Sequence, residues 1–164
     1  MASIGIVALT STRKVSKALG EETVMVSNSF EQLDFQGLFE KMPIVGYVVD
    51  REWRIVAVTD RLLEAIHRSR EAVIGQDVFE TFPDNPDNPD ADGSAVMRAS
   101  LERAFSTGET EKLPLQRYDA PPAVPGGAFE ERYWLPENVP VAGRDGTIAF
   151  VIHTVISASP PSAG

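Results

Sequence analysis

The densest concentration of oxygen ligands in the chain is Phe82-Pro-Asp-Asn-Pro-Asp-Asn-Pro-Asp-Ala-Asp-Gly93, with four acids and two asparagines. A calcium loop wants oxygens at positions 1, 3 and 5, Gly at 6 and a bidentate Glu at 12. The register that places Asn88, Asp90, Asp92 and Gly93 correctly puts Ala99 at the last position, where no oxygen is available. The calcium reading fails there, which leaves a shaped connection. The two histidines are His67, beside Arg68 and Arg70, and His153, between Val151 and Val155. His67 suits a helix end, where the dipole favours it. His153 reads as a satisfied strand histidine, with a ligand hydrogen-bonder or haem ligand as the alternative. Two histidines do not make a metal site without converging carboxylates. Asp50 beside Tyr47, with His153 elsewhere, has the residue types of an acid–base constellation. Asp50 also stands where a hairpin turn begins, and Asp is favoured there for backbone reasons.

Composition narrows the classes. The chain has 164 residues, 43% hydrophobic and 24% charged, as expected of one globular domain with short extensions. Its net charge of −9 disfavours nucleic acid and anionic membrane surfaces as partners. There is no cysteine, which excludes disulfides, thiolate metal sites and thiol nucleophiles. No apolar run approaches the ~20 residues of a membrane span, and no secretory signal pattern opens the chain. A cytoplasmic location is the expectation.

The elements that must position these residues follow from pattern. Residues 1–28 sustain no periodicity and form an arm, either a packing extension or disordered. The domain proper is expected over 29–157, and 158–164 is a linker-like tail. Ser29 and Gln32 have capping-box spacing, and Phe35, Leu38, Phe39 and Met42 line one face of a flanking helix over 29–42 that Pro43 ends. Gly46–Asp50 and Arg54–Thr59 read as a hairpin. Asp60 is expected to cap a short helix through Ile66, and two further short helical segments surround Arg70–Val73 and Val78–Phe82. Ser94–Thr107 is the strongest helix, with Met97, Leu101, Ala104 and Phe105 on one face and Gly108 as its stop. Asp92, Gly93 or Ser94 is expected to start it. Strands Glu111–Tyr118, Phe129–Pro140 and Thr147–Ile156 complete the chain, the last after a Gly143–Gly146 turn.

Strands enclosing a run of helices indicate an α+β domain with one antiparallel sheet, here five-stranded. Helices on one face leave a cavity against the sheet. The last strand is apolar on both faces, Ile148, Phe150, Ile152 and Ile156 on one and Ala149, Val151 and Val155 on the other, so both are expected to be covered.

The chain resembles the PAS sensory domains of bacterial signalling proteins from about residue 35 to 156. The resemblance is carried by Met42-Pro-Ile-Val-Gly-Tyr-Val-Val-Asp50, Arg54–Thr59, Ser69–Phe79, Phe129–Trp134, Pro140-Val and Asp145-Gly146. The proline-rich stretch is similar to the connector before the long helix in a subset of these domains. Three features depart from the pattern: Thr59 stands where Asn is frequent, Trp53 where the turn glycine is expected, and Val155-Ile-Ser-Ala-Ser159 where the family's Asp-Ile/Val-Thr ending would couple to a downstream signalling helix. The resemblance implies a non-enzymatic sensor or interaction module of a bacterial signal-transduction system. It would bind a small ligand in the helix–sheet cavity and signal through dimer or partner contacts. A ligand-free dimerisation module is the alternative, and a small cone-fold isomerase or hydrolase the third. Relatives with a thiol-linked flavin or chromophore need a cysteine that is absent. Haem-binding relatives carry an axial His on the long helix, and Ser94–Thr107 has none, so the cofactor is left open. Face assignment nominates Val78, Phe79, Met97, Leu101, Phe105, Leu115, Tyr133 and Ile152 as ligand-binding residues. Arg117, Tyr118, Tyr133 and Trp134 could offer polar tips, or be amphipathic sheet residues only. A homodimer is expected through the flanking helix and outer sheet face. No effector segment follows, so a partner protein in trans is expected, or the chain is part of a longer regulator.

Overall fold

The computed structural model describes residues 33–160 other than 121, 123, 125 and 126. The expectations for residues 1–28, for the Ser29–Gln32 capping box and for the end of the tail lie outside the described residues. Helix α1 (Phe35–Glu40) leads into strand β1 (Val45–Asp50), β2 (Ile55–Val58), α2 (Asp60–Ile66), a 3₁₀ turn (Arg70–Ala72), α3 (Val78–Thr81) and α4 (Gly93–Thr107). Strands β3 (Glu111–Lys112), β4 (Gln116–Arg117), β5 (Tyr133–Ala142) and β6 (Ile148–Ala158) follow. All pairings are antiparallel, in the order β2-β1-β6-β5-β3, with β4 also on β5. The α+β architecture is as expected, but the sheet has six strands.

The extra strand has a local cause. Lys112 pairs with Glu137 and Gln116 with Trp134, so Leu113–Leu115 face only Leu135 and Pro136. The Pro136 carbonyl accepts from Leu113 N at 2.9 Å, so its ring nitrogen faces the same neighbour and has no proton to give. Pro114 lacks a donor as well. The ladder breaks there, and the unequal count works as a bulge that resets which side chains point inward.

The β1–β2 turn uses Asp50 as a backbone acceptor: its Oδ1 takes Glu52 N at 3.0 Å and Arg54 N at 2.8 Å. Trp53 occupies the left-handed region at φ 63°, where glycine would be unstrained. Its ring packs edge-on against Phe79 and Phe105, and these contacts hold it there. Helix α2 is capped by Thr59, not Asp60. The Thr59 Oγ1 accepts from Leu62 N and Gly46 N and donates to the Ile44 carbonyl at 2.8 Å. Asp60 is the first helical residue and pairs with Arg70 at 2.6 Å and with Lys41. His67 takes the left-handed position just after α2 (φ 52°).

Helix α4 presents Ser100, Leu101, Ala104 and Phe105 to the core and stops at left-handed Gly108. Asp92 stands at its N-cap without a side-chain bond. Asp84 does that work instead, accepting Ser94 N at 3.0 Å from across the connector. Val49, Ile55, Val58, Val73, Leu101, Ala104 and Val151 form the fully buried centre. Two apolar faces stay open in the single chain. Phe35 and Leu38 of α1 are 59% and 50% exposed, and the helix packs on β2. The inward face of β6 is that of Val151 and His153, whereas Ile156 on the outer face is 69% exposed beside exposed Leu135, its register partner.

Candidate ligand-binding site

A cavity of about 120 Å³ lies between the sheet and helices α2, α3 and α4. Helices supply Leu62, Ile66, Val78, Phe79 and Met97, and the sheet supplies Tyr47, Trp134, His153 and Val155. Phe82, Gly93 and Ser94 bound it where the proline-rich connector enters and leaves. The volume is of the order of the roughly 150 Å³ apolar cavity that admits benzene.

Backbone approach shapes the wall. A Cβ on Gly46 would stand 2.6 Å from the His153 carbonyl, so only glycine lets β1 lie against β6 there. A Cβ on Gly93 would stand 2.9 Å from the Tyr118 ring. The connector is pinned by the same neighbours. Tyr118 donates to the Pro83 carbonyl at 2.9 Å, and Asn85 donates to Asp119 Oδ2 at 2.8 Å. Asn85 and Asn88 accept from the backbone two residues on, closing Asx turns. Its polar residues thus serve backbone and partners. The Arg117 guanidinium beside Asp119, with Asn85, holds that carboxyl below its ordinary range.

One row of polar side chains crosses the sheet. Tyr47, His153, Asn138 and Glu111 are successive register partners on β1, β6, β5 and β3. His153 Nδ1 lies 2.8 Å from Asn138 Oδ1. Asn138 Nδ2 donates to Ser100 Oγ at 2.7 Å and approaches Met97 Sδ at 3.7 Å. Ser100 donates to Glu111 Oε2 at 2.6 Å, and Arg103 donates to Glu111 Oε1. Asn138 and Ser100 are fully buried. Burial pushes His153 down to about 3, so the ring is neutral at physiological pH. Burial raises the Glu111 carboxyl, but the Arg103 and Ser100 hydrogen bonds outweigh it and hold it below its usual value. Burial also raises the Tyr47 phenol far above its ordinary range.

Two polar atoms of this row have no partner among the described residues: His153 Nε2 and the Tyr47 hydroxyl. Arg132 Nε alone among the described side chains is both buried and unpartnered, and Tyr47 and His153 both line the cavity. The Tyr47 ring tilts against His153 at 4.6 Å and stacks on Phe82 at 5.4 Å, giving the wall an aromatic corner.

Of the nominated residues, Val78, Phe79 and Met97 line the cavity. Leu101 and Phe105 belong to the buried core and do not line the cavity. Leu115, Tyr133 and Ile152 do not reach the wall; Leu113, Trp134 and His153, their neighbours or near neighbours, do. For Leu115 the cause is the β3–β4 bulge, and for Ile152 and Tyr133 it is the opposite strand face. Tyr47 was expected only in the acid–base constellation, whereas ligand hydrogen bonding was the stated alternative for His153; both line the cavity. The available signal was a lone polar residue at 153 between inward valines. Asp50 does not line the cavity, so the Asp50–Tyr47–His153 constellation is not assembled.

No protein-family model matches the chain, and no curated protein matches it. Solved structures do. A sensory box sensor histidine kinase from Vibrio cholerae superposes with a TM-score of 0.51 at 18% identity, over 81% of this chain and 95% of that one. VqmA bound to DPO, a Vibrio cholerae protein, gives 0.56 at 22% identity, over 79% of this chain and 57% of that one. The PAS domain of a Colwellia psychrerythraea protein gives 0.55 at 13% identity, over 74% and 92%. With an antiparallel sheet, helices packed on one face and a cavity between them, the chain has the PAS fold.

Proposed function

We propose that this chain is a non-enzymatic sensory module whose helix–sheet cavity binds a small, uncharged, near-planar molecule. The observation that carries the reading is the pair of unpartnered polar atoms, Tyr47 Oη and His153 Nε2, in a mostly apolar, aromatic-cornered cavity whose other polar lining is Ser94, Gln116, Tyr118 and Arg132. Apolar walls with a few convergent polar groups are the usual make-up of a small-molecule site. A molecule the size of a single six-membered ring fits the volume, whereas a flavin or haem would need the wall rebuilt. That VqmA, a neighbour in fold, is bound to DPO supports a ligand-binding role. Occupancy would shift α4 against the sheet and change the outer sheet face, where Leu135 and Ile156 are exposed to a second copy or a partner protein. That exposed pair also suits the second reading, a dimerisation module without ligand.

Methyl-detected NMR with phenol as probe separates the two. Phenol is expected to shift the resonances of Leu62, Ile66 and Met97, and a Val96→Phe variant, which fills the cavity from a lining position on α4, to abolish this with the fold intact. Absence of any such shift at millimolar phenol would favour the ligand-free module.

A further inference from the structure

We infer that Glu111, Ser100 and Asn138 act as positioning residues that hold His153 as the Nδ1–H tautomer, so that the cavity selects ligands that donate a hydrogen bond. The inference rests on the cavity being a ligand site, as proposed above, and adds which chemistry it takes and which distant residues decide that. The direction of the relay can be worked out from its charged end. Glu111, ionised beside Arg103, can only accept, so the Ser100 hydroxyl proton must point to it. Ser100 Oγ then accepts from Asn138, which requires the amide nitrogen on that side. The Met97 sulfur beside the same nitrogen, a weak acceptor, agrees. With Asn138 turned this way, its Oδ1 faces His153 and can only accept, so the proton resides on His153 Nδ1.

The opposite amide orientation fails at once. Asn138 Oδ1 would then need the Ser100 proton, and Ser100 and Glu111 would be left with two acceptors 2.6 Å apart. Every atom of the relay is thus committed, and His153 Nε2 is left in the cavity as a lone-pair acceptor. A neutral O–H or N–H meets it favourably. A ring nitrogen without a proton meets lone pair against lone pair at His153 and must find its donor elsewhere on the wall, at Tyr47, Gln116 or Arg132.

The test uses the whole chain and its Glu111→Gln and Ser100→Ala variants. Glutamine at the first position is isosteric but can donate to Ser100, which removes the one-way constraint, and the residue is at the sheet edge where the fold tolerates it. Imidazole ¹⁵N spectra report the tautomer without any ligand. The expected result is protonated Nδ1 and bare Nε2 in the parent chain, and a tautomer mixture in both variants. Phenol, which can donate, and pyridine, of similar size but an acceptor only, are then titrated at pH 8. The phenol-over-pyridine preference should fall roughly tenfold in Glu111→Gln, the size of one hydrogen bond. A protonated Nε2 in the parent chain, or a tautomer unmoved in both variants, would overturn the inference. If neither probe binds while Nδ1 stays protonated, the tautomer lock stands and the ligand-site reading fails.

Discussion

His153 concentrates the account at the scale of one residue. It is a neutral, buried imidazole whose folded form resists protonation, with its value down at about 3 against 6.5 in the unfolded chain. As pH falls below about 6.5 the unfolded chain gains a proton that the folded chain refuses. His153 therefore costs stability with a slope of up to about 1.4 kcal/mol per pH unit. Chemical denaturation from pH 7 to pH 4.5 should show His153→Gln losing less stability than the parent over that window; parallel curves would contradict it. Gly46 makes a sharper steric prediction. A Cβ there meets the His153 carbonyl, which is backbone and cannot yield, so Gly46→Ala should cost about 1–3 kcal/mol in urea denaturation. The sequence made Val78, Phe79 and Met97 legible because helical period alone decides their faces. Tyr47 and His153 were not legible as a pair, since they meet only through the β1–β6 register, which links residues more than a hundred positions apart.

At the scale of elements, boundaries set by local chemistry were legible and partners supplied from elsewhere were not. The long helix, the hairpin and the stop at Gly108 follow from spacing and turn residues. The cap of α4 does not, because Asp84 reaches Ser94 N from the far side of the proline-rich connector. Asp84→Ala should therefore destabilise the domain by about 1 kcal/mol, while Asp92→Ala should change thermal stability little. The reverse ranking would show that the adjacent acid is the working cap. The same reasoning explains the extra strand. Pro114 and Pro136 were visible in the sequence, but their coincidence across the β3–β5 ladder depends on register. That coincidence moved Leu115 off the cavity wall. On β6, bulky apolar residues on both faces left the inward side undecided, and the smaller valines with His153 took it.

For the molecule as a whole, the fold places the cavity under a pinned connector on one side of the sheet and leaves an apolar strip on the other. No helix among the described residues is long and apolar enough to cross a membrane. The outer strip includes the paired, exposed Leu135 and Ile156. If signalling passes through a homodimer on that face, sedimentation at micromolar concentration should give a dimer, and Ile156→Glu a monomer with unchanged circular dichroism. A monomeric parent chain would remove the homodimer and leave a partner protein as the receiver. Central to all of this is that the cavity holds a small donor molecule, and a crystal structure of the chain grown with phenol tests it most directly. The account predicts the ring beside Tyr47, Phe82 and Met97 with its oxygen in hydrogen-bond reach of His153 Nε2. Phenol found only at the surface, or a cavity without it, would contradict the account.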